Sequence, residues 1–269
     1  MKFKVVILTF NIVLIVTFLA LFCIPFFLIG SDFALDFMKR SWIICLCFVL
    51  MLVVMNVIFA RNWQLFSIME GEDWPALTFF LEKKLYEQKR FSYRYVKLLC
   101  ESCILLSDFA GVQRLADFVS DRKPQLFARS VLGFAAALIL QRKTKDAVAL
   151  LERFHEDKAV KNRFWVEWYY GFALYLEMDF KRSMAVFYGL LSSSKNTVVT
   201  GLSLYMLEMK ISPMERSFDD LRSETALAKN SLLRRESAGS WKRRLEAEKN
   251  EVPVVILGKI LDDAAVYLY

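Results

Sequence analysis

Two uncharged runs near the start constrain this chain more than any other feature. Residues 5–29 read VVILTFNIVLIVTFLALFCIPFFLI, and residues 42–60 read WIICLCFVLMLVVMNVIFA. A bilayer core about 30 Å thick takes roughly 20 apolar residues as a helix, so each run is long enough to span. Residues 31–40, SDFALDFMKR, allow only a tight return. Residues 1–60 are therefore expected to form a two-span transmembrane hairpin that contacts the lipid bilayer and leaves both chain ends on one side. The first run exceeds the h-region of a cleaved leader, and no small-x-small site follows it. Phe22 is too bulky to precede a lipoprotein cysteine at Cys23. Lys2, Lys4 and Arg61 flank one side, against Lys39 and Arg40 in the return. By the positive-inside rule this places the remainder on the cytoplasmic face of the cell (inner) membrane. Asn11 and Asn56 fall at similar depth and either hydrogen-bond across the pair or are solvated near the headgroups.

Those runs explain why 56% of the residues are hydrophobic, above the 45–50% of ordinary soluble domains. They also hold three of the five cysteines, Cys23, Cys45 and Cys47. Cys100 and Cys103 remain, and no disulfide framework is visible, which suits a reducing compartment. A C-x-x-C pair suggests redox chemistry or half a metal site, but this one lies mid-helix in an apolar run. Zinc would need two more ligands, and His155 is the one histidine. Both cysteines are therefore read as small buried packing residues. The net charge of +7 suits an anionic leaflet, and no basic-aromatic groove points to nucleic acid. No nucleophile elbow, P-loop, dinucleotide fingerprint or zinc-protease motif occurs. His155 reads as a solvated helix-end residue. The neighbours in Asp219-Asp220 and Asp262-Asp263 diverge on a helix and make poor catalytic pairs. The expectation is a protein that is not an enzyme and needs no cofactor or metal.

Beyond residue 60 the pattern is helical, with Asp73-Trp74-Pro75 and Ser212-Pro213 each placing a capping residue before a first-turn proline. Residues 165–191, WVEWYYGFALYLEMDFKRSMAVFYGLL, carry Gly171 and Ser183 twelve apart, Phe187 four later and Asp179-Phe180 between. Upstream, Ala135 and Ala147 repeat the interval, as do Cys100 and Val112 around Asp108-Phe109. Cys100, Ala135 and Gly171 are 35 and 36 residues apart. This pattern resembles the tetratricopeptide repeat, whose units pair two antiparallel helices through facing small residues. A looser copy precedes at residues 61–84 and a degenerate one follows at 197–228. The resemblance implies an all-α chain: a transmembrane hairpin over 1–60 and a tetratricopeptide-like solenoid over 61–228. A charged segment and a C-terminal capping helix over 229–269 complete it. Two spans followed by such repeats look like the HemY type of inner-membrane protein, in architecture and not in motif.

The resemblance also implies a binding groove lined by the first helix of each unit. Carried over, the groove positions are Arg94, Lys97, Glu101 and Arg129, then Trp165, Trp168, Phe172 and Tyr175. Trp and Arg dominate interface hot spots. The same aromatic spacing also suits packing against the next unit or the C-terminal helix. Glu101 stands where a carboxylate-clamping relative would carry asparagine, which disfavours a carboxylate-ended tail. Arg234, Arg235, Lys242, Arg243 and Arg244 are candidates for lipid-phosphate contact or a solvated helix face. The expected function is a membrane-anchored scaffold that binds a protein partner. The alternative is a permanent structural subunit of a larger membrane assembly, with a fixed neighbour or a second copy of the chain filling the groove.

Overall fold

The computed structural model describes residues 2–29, 40, 42–157, 160–215, 221–249 and 251–269. The expected return at residues 31–39 and the pair Asp219-Asp220 lie outside them. Every regular element among the described residues is helical. The chain divides into two compact units, residues 1–80 and 81–269.

In the first unit, α1 (Lys2–Ile29) and α2 (Trp42–Glu70) pack together. Asn56 Nδ2 donates to Asn11 Oδ1 at 2.9 Å, and Asn11 Nδ2 donates back to Asn56 Oδ1 at 3.3 Å. Phe18 and Phe48 bring their ring centroids to 5.9 Å. Numbers rise along one helix as they fall along the other, so the pair is antiparallel. Around these contacts the large apolar side chains, Leu8, Ile12, Leu46 and Leu50 among them, face outward. Among the described residues, α2 is the one helix long and apolar enough to cross a membrane, with residues 5–20 of α1 forming a shorter apolar stretch. α2 runs unbroken across residue 60 to Glu70. Asp73 then caps α3 (Trp74–Glu82), accepting from the Ala76 N–H at 3.0 Å.

The second unit is built from consecutive helix pairs. These are α4 (Tyr93–Leu105) with α5 (Phe109–Arg122), α6 (Pro124–Leu140) with α7 (Thr144–Glu152), and α8 (Arg163–Leu176) with α9 (Phe180–Ser193). The first helices also touch in series, α4 on α6 and α6 on α8. A single backbone device closes each pair. Ser107, Arg142 and Met178 take φ of 57°, 60° and 62°, and Glu72 before α3 takes 51°. These left-handed residues stand 35, 35 and 36 apart. After each of the last three, the next N–H reaches back to the first helix: Asp108 to Cys103 O, Lys143 to Leu138 O, Asp179 to Leu174 O, at 2.8–3.0 Å. This is the Schellman closure of a helix end. Asp108 and Asp179 then cap the second helices through Gly111 and Arg182 N–H.

The small residues seen in the sequence lie where helices come closest. Ser183 Oγ donates to Gly171 O at 2.8 Å, and a Cβ on Gly171 would stand 3.0 Å from the Phe187 ring. Cys100 and Cys103 are buried thiols. Cys100 Sγ is 3.0 Å from where a Gly133 Cβ would sit, and Cys103 Sγ is 3.2 Å from that of Gly111. Burial pushes the Cys100 thiol far up and that of Cys103 up to about 12, the reverse of a reactive thiolate.

Next comes α10 (Thr197–Tyr205), extended by a wider π-helical turn to Ile211. Ser212-Pro213 fall in the turn after it and start no helix, which corrects the sequence expectation. The chain continues with α11 (Arg222–Arg235), α12 (Ala238–Glu248), the short α13 (Val252–Val255) and α14 (Gly258–Leu268). The charged segment breaks at Glu236-Ser237, because Ser237 and Ser240 form a reciprocal cap that starts α12 there. Gly201 lets α12 and α14 close over α10: a Cβ on it would meet Leu268 Cδ1 at 2.8 Å and Trp241 Nε1 at 3.1 Å. α14 packs on α10, with α12 beside it.

Candidate functional site

Glu248 and residues 251–253, a strap, lie against the face formed by α4, α6 and α8. Glu248 anchors one end of this strap, accepting from Trp165 Nε1 at 2.9 Å and from Asn196 Nδ2 at 2.7 Å. Lys97 Nζ donates to Glu251 Oε1 at 2.6 Å and lies 3.8 Å from Glu101. Glu101 accepts from the Val252 N–H, and Tyr169 OH donates to Pro253 O. Pro253 and Val254 are buried, and α13 packs on α6.

Charge and burial are finely set here. Desolvation pushes the Glu101 carboxyl up to about 7, with Glu251 adding to the shift and Lys97 and the Val252 N–H opposing it. Burial lowers the affinity of Lys97 for its proton, but the Glu251 bond and the Glu101 charge outweigh it, so its pKa is raised. Arg129 and Lys161 lie over the Tyr93 ring at 5.0 and 4.5 Å. A void of about 30 Å³ remains beneath the strap, room for one or two waters. Ser130 Oγ and Glu101 Oε1 are buried beside it with no hydrogen-bond partner.

The groove positions named from sequence therefore divide. Lys97 and Glu101 line a face that the chain's own residues 251–253 cover. Arg129 is exposed beside them, and Arg94 is exposed on α4. Trp165, Trp168 and Phe172 are corrected from open groove to core. Trp168 is 0% exposed, stacked on Phe172 at 5.3 Å and set against Phe187 at 5.7 Å. Tyr175 continues the stack, partly buried. The bulk of these rings excludes water between helices, so α8 gives its aromatic face to packing. His155 is corrected as well, being half-buried and stacked on Tyr170 at 4.6 Å. Arg234, Arg235, Lys242, Arg243 and Arg244 are all exposed, and Arg244 pairs with the buried Glu236 at 2.8 Å. Among the described residues no group of three or more His, Cys, Asp or Glu could hold a metal ion.

Sequence reasoning missed the strap and a second feature, a cleft of about 770 Å³ between α5 and α7. Ala116, Ala128 and Ala137 leave its floor low. Phe127, Leu138, Leu150 and Phe154 line it, with Asp117, Asp146, Asp157 and Arg153 around them. Phe127 stacks on Phe134 at 5.1 Å and meets Phe154 at 5.7 Å. A proline after the polar run KNE was the one local sign of the strap. The cleft had none, since it depends on how short α7 is.

Residues 111–269, more than half of the chain, match the model of a family described as "Uncharacterised Treponema protein". The chain belongs to this Treponema family. A relative from Treponema pallidum (strain Nichols), described as "Uncharacterized protein", is 27% identical over 232 residues, covering 83% of this chain and 74% of the relative. No solved structure matches the chain. The segment matched to the Treponema family begins within α5 and takes in the cleft, Trp165, Trp168 and the strap, whereas Arg94, Lys97 and Glu101 precede it.

Proposed function

We propose that this protein is a membrane-anchored adaptor, without enzymatic activity, that binds a protein partner through a tetratricopeptide-like stack of helix pairs. The anchor is the pair α1–α2 acting as a two-span hairpin, with the second unit on the cytoplasmic face. Its support is the outward apolar surface of both helices and the Lys2, Lys4 and Arg61 flank. The repeat reading draws on left-handed turns recurring every 35–36 residues. One observation carries the partner reading. The α5–α7 cleft leaves Phe127, Leu138, Leu150 and Phe154 only partly covered, and an apolar concavity with a few polar groups at its edge is where ligands and partner side chains seat.

The test is site-specific photo-crosslinking in living cells, with the reactive group at Leu138 or Leu150 and at the exposed Lys195 as control. The expected result is one discrete adduct from both cleft positions and none from the control. Equal or absent adducts overturn the reading. The second reading, a permanent subunit of a larger assembly, draws on exposed Met178, Leu227 and Val266 away from the cleft. It predicts discrete adducts from those positions instead.

A further inference from the structure

We infer that the edge of the second unit formed by its helix-pair turns is an interfacial contact for an anionic lipid leaflet. Three-residue turns, 106–108, 141–143 and 177–179, reverse the chain after α4, α6 and α8, so the C-terminal ends of these first helices share one edge. Thr144 Oγ1 donates to Glu177 Oε1, which joins the second turn to the third. Lys210, beside Met209 in the π-helical extension of α10, feels the charge of Tyr175 near the end of α8. A fourth helix end therefore belongs to the row.

The residues along this edge alternate between apolar and cationic. The last residue of each first helix is a leucine left in water: Leu105, Leu140 and Leu176 are 50%, 39% and 38% exposed. Leu106, Met178 and Met209 are exposed beside them. Arg142, Lys143, Lys145 and Lys181 stand on the same turns and first helical turns, all exposed and without an ion pair among the described residues. The acids there are mostly engaged. Asp108 lies 3.7 Å from Arg114, Asp179 pairs with Arg182 at 2.6 Å, and Glu177 takes the Thr144 hydroxyl, which leaves Asp146. None of the six apolar residues lines the cleft or the void, so they offer a folded partner no groove to fill. A fluid interface accepts each projecting side chain separately, and its phosphates complement the cations between them. That charge match commits the edge to anionic lipid. The inference rests on the anchor reading, which keeps this unit at high effective concentration near a leaflet.

The experiment places an environment-sensitive fluorescent amino acid at Met178 or Met209 of the full chain in nanodiscs, with and without phosphatidylglycerol. The quencher is a phospholipid carrying a doxyl group high on its acyl chain. Both positions should lose about half their emission or more in anionic discs, and the exposed Leu227 on α11 should lose none. Lys143→Glu/Lys181→Glu, two exposed substitutions, should abolish the quenching at Met178. The label at Leu50 of α2 reports the anchor by itself. Quenching at Leu50 without quenching at Met178 and Met209 overturns the inference and leaves the anchor standing. Quenching at the edge without quenching at Leu50 overturns the anchor alone. The inference also fails if Leu227 is quenched equally, or if neither phosphatidylglycerol nor the charge reversal changes the signal. A blue shift without quenching means that protein covers the edge, and overturns it too.

Discussion

At Glu101 a carboxyl that titrates near neutrality sits under a strap that it helps to hold. Its folded pKa, about 7, lies above the ordinary 4.5 because of burial, so the folded state binds the proton more tightly than the unfolded chain does. The stability this confers is fully present below about pH 4.5 and is lost as pH rises through 7. After screening by Lys97 and solvent the amount is roughly 2 kcal/mol. Glu101→Gln keeps an acceptor for the Val252 N–H and should flatten that slope in denaturation midpoints taken from pH 5 to 8. A wild-type slope in the substituted protein would refute the assignment. At Gly171 space and not charge is limiting. Gly171→Ala places a methyl 3.0 Å from the fully buried Phe187 ring and should destabilise by about 1–3 kcal/mol in urea unfolding. The twelve-residue interval made Gly171 and Ser183 legible from sequence, because facing small residues are a local pattern. Lys97 and Glu251, 154 residues apart, have no such signature, and Trp168 was ambiguous because one aromatic spacing serves groove and core alike.

At the scale of elements, the turns between paired helices use non-glycine residues in left-handed conformation. Met178 is 77% exposed at φ 62°, so its side chain contributes little while its Cβ carries the steric cost. Met178→Gly should raise stability by about 0.5–1 kcal/mol, the relief exceeding the added entropy of the unfolded chain. An unchanged melting temperature would count against it. In the first unit the reciprocal amide pair is the one polar contact across α1 and α2 that the sequence also suggested. Asn11→Leu should loosen the helix pair by about 0.6–2 kcal/mol, read as a lower unfolding midpoint in detergent. Helix existence was legible through apolar period and caps. The break at Ser237 and the short α7 were not, because a reciprocal serine cap and an early helix end depend on backbone geometry that composition does not report.

For the whole molecule, the large contiguous core of the second unit runs from Ala128 to Leu268 among the described residues. A fragment of residues 73–269 should therefore stay in aqueous solution without detergent and melt cooperatively by circular dichroism, whereas the full chain should partition into membranes. Aggregation of the fragment would show that residues 1–72 also shield a folding surface. The strap has a consequence in time. Lys97 leaves the ribosome 154 residues before Glu251, and at about 5–20 residues per second that delay is roughly 8–30 s. The face is complete only once α8 has emerged at Leu176, and for the rest of that interval the helices beneath can assemble while their charged face stands uncovered. Each newly made copy thus builds this face first and closes it with its own tail afterwards.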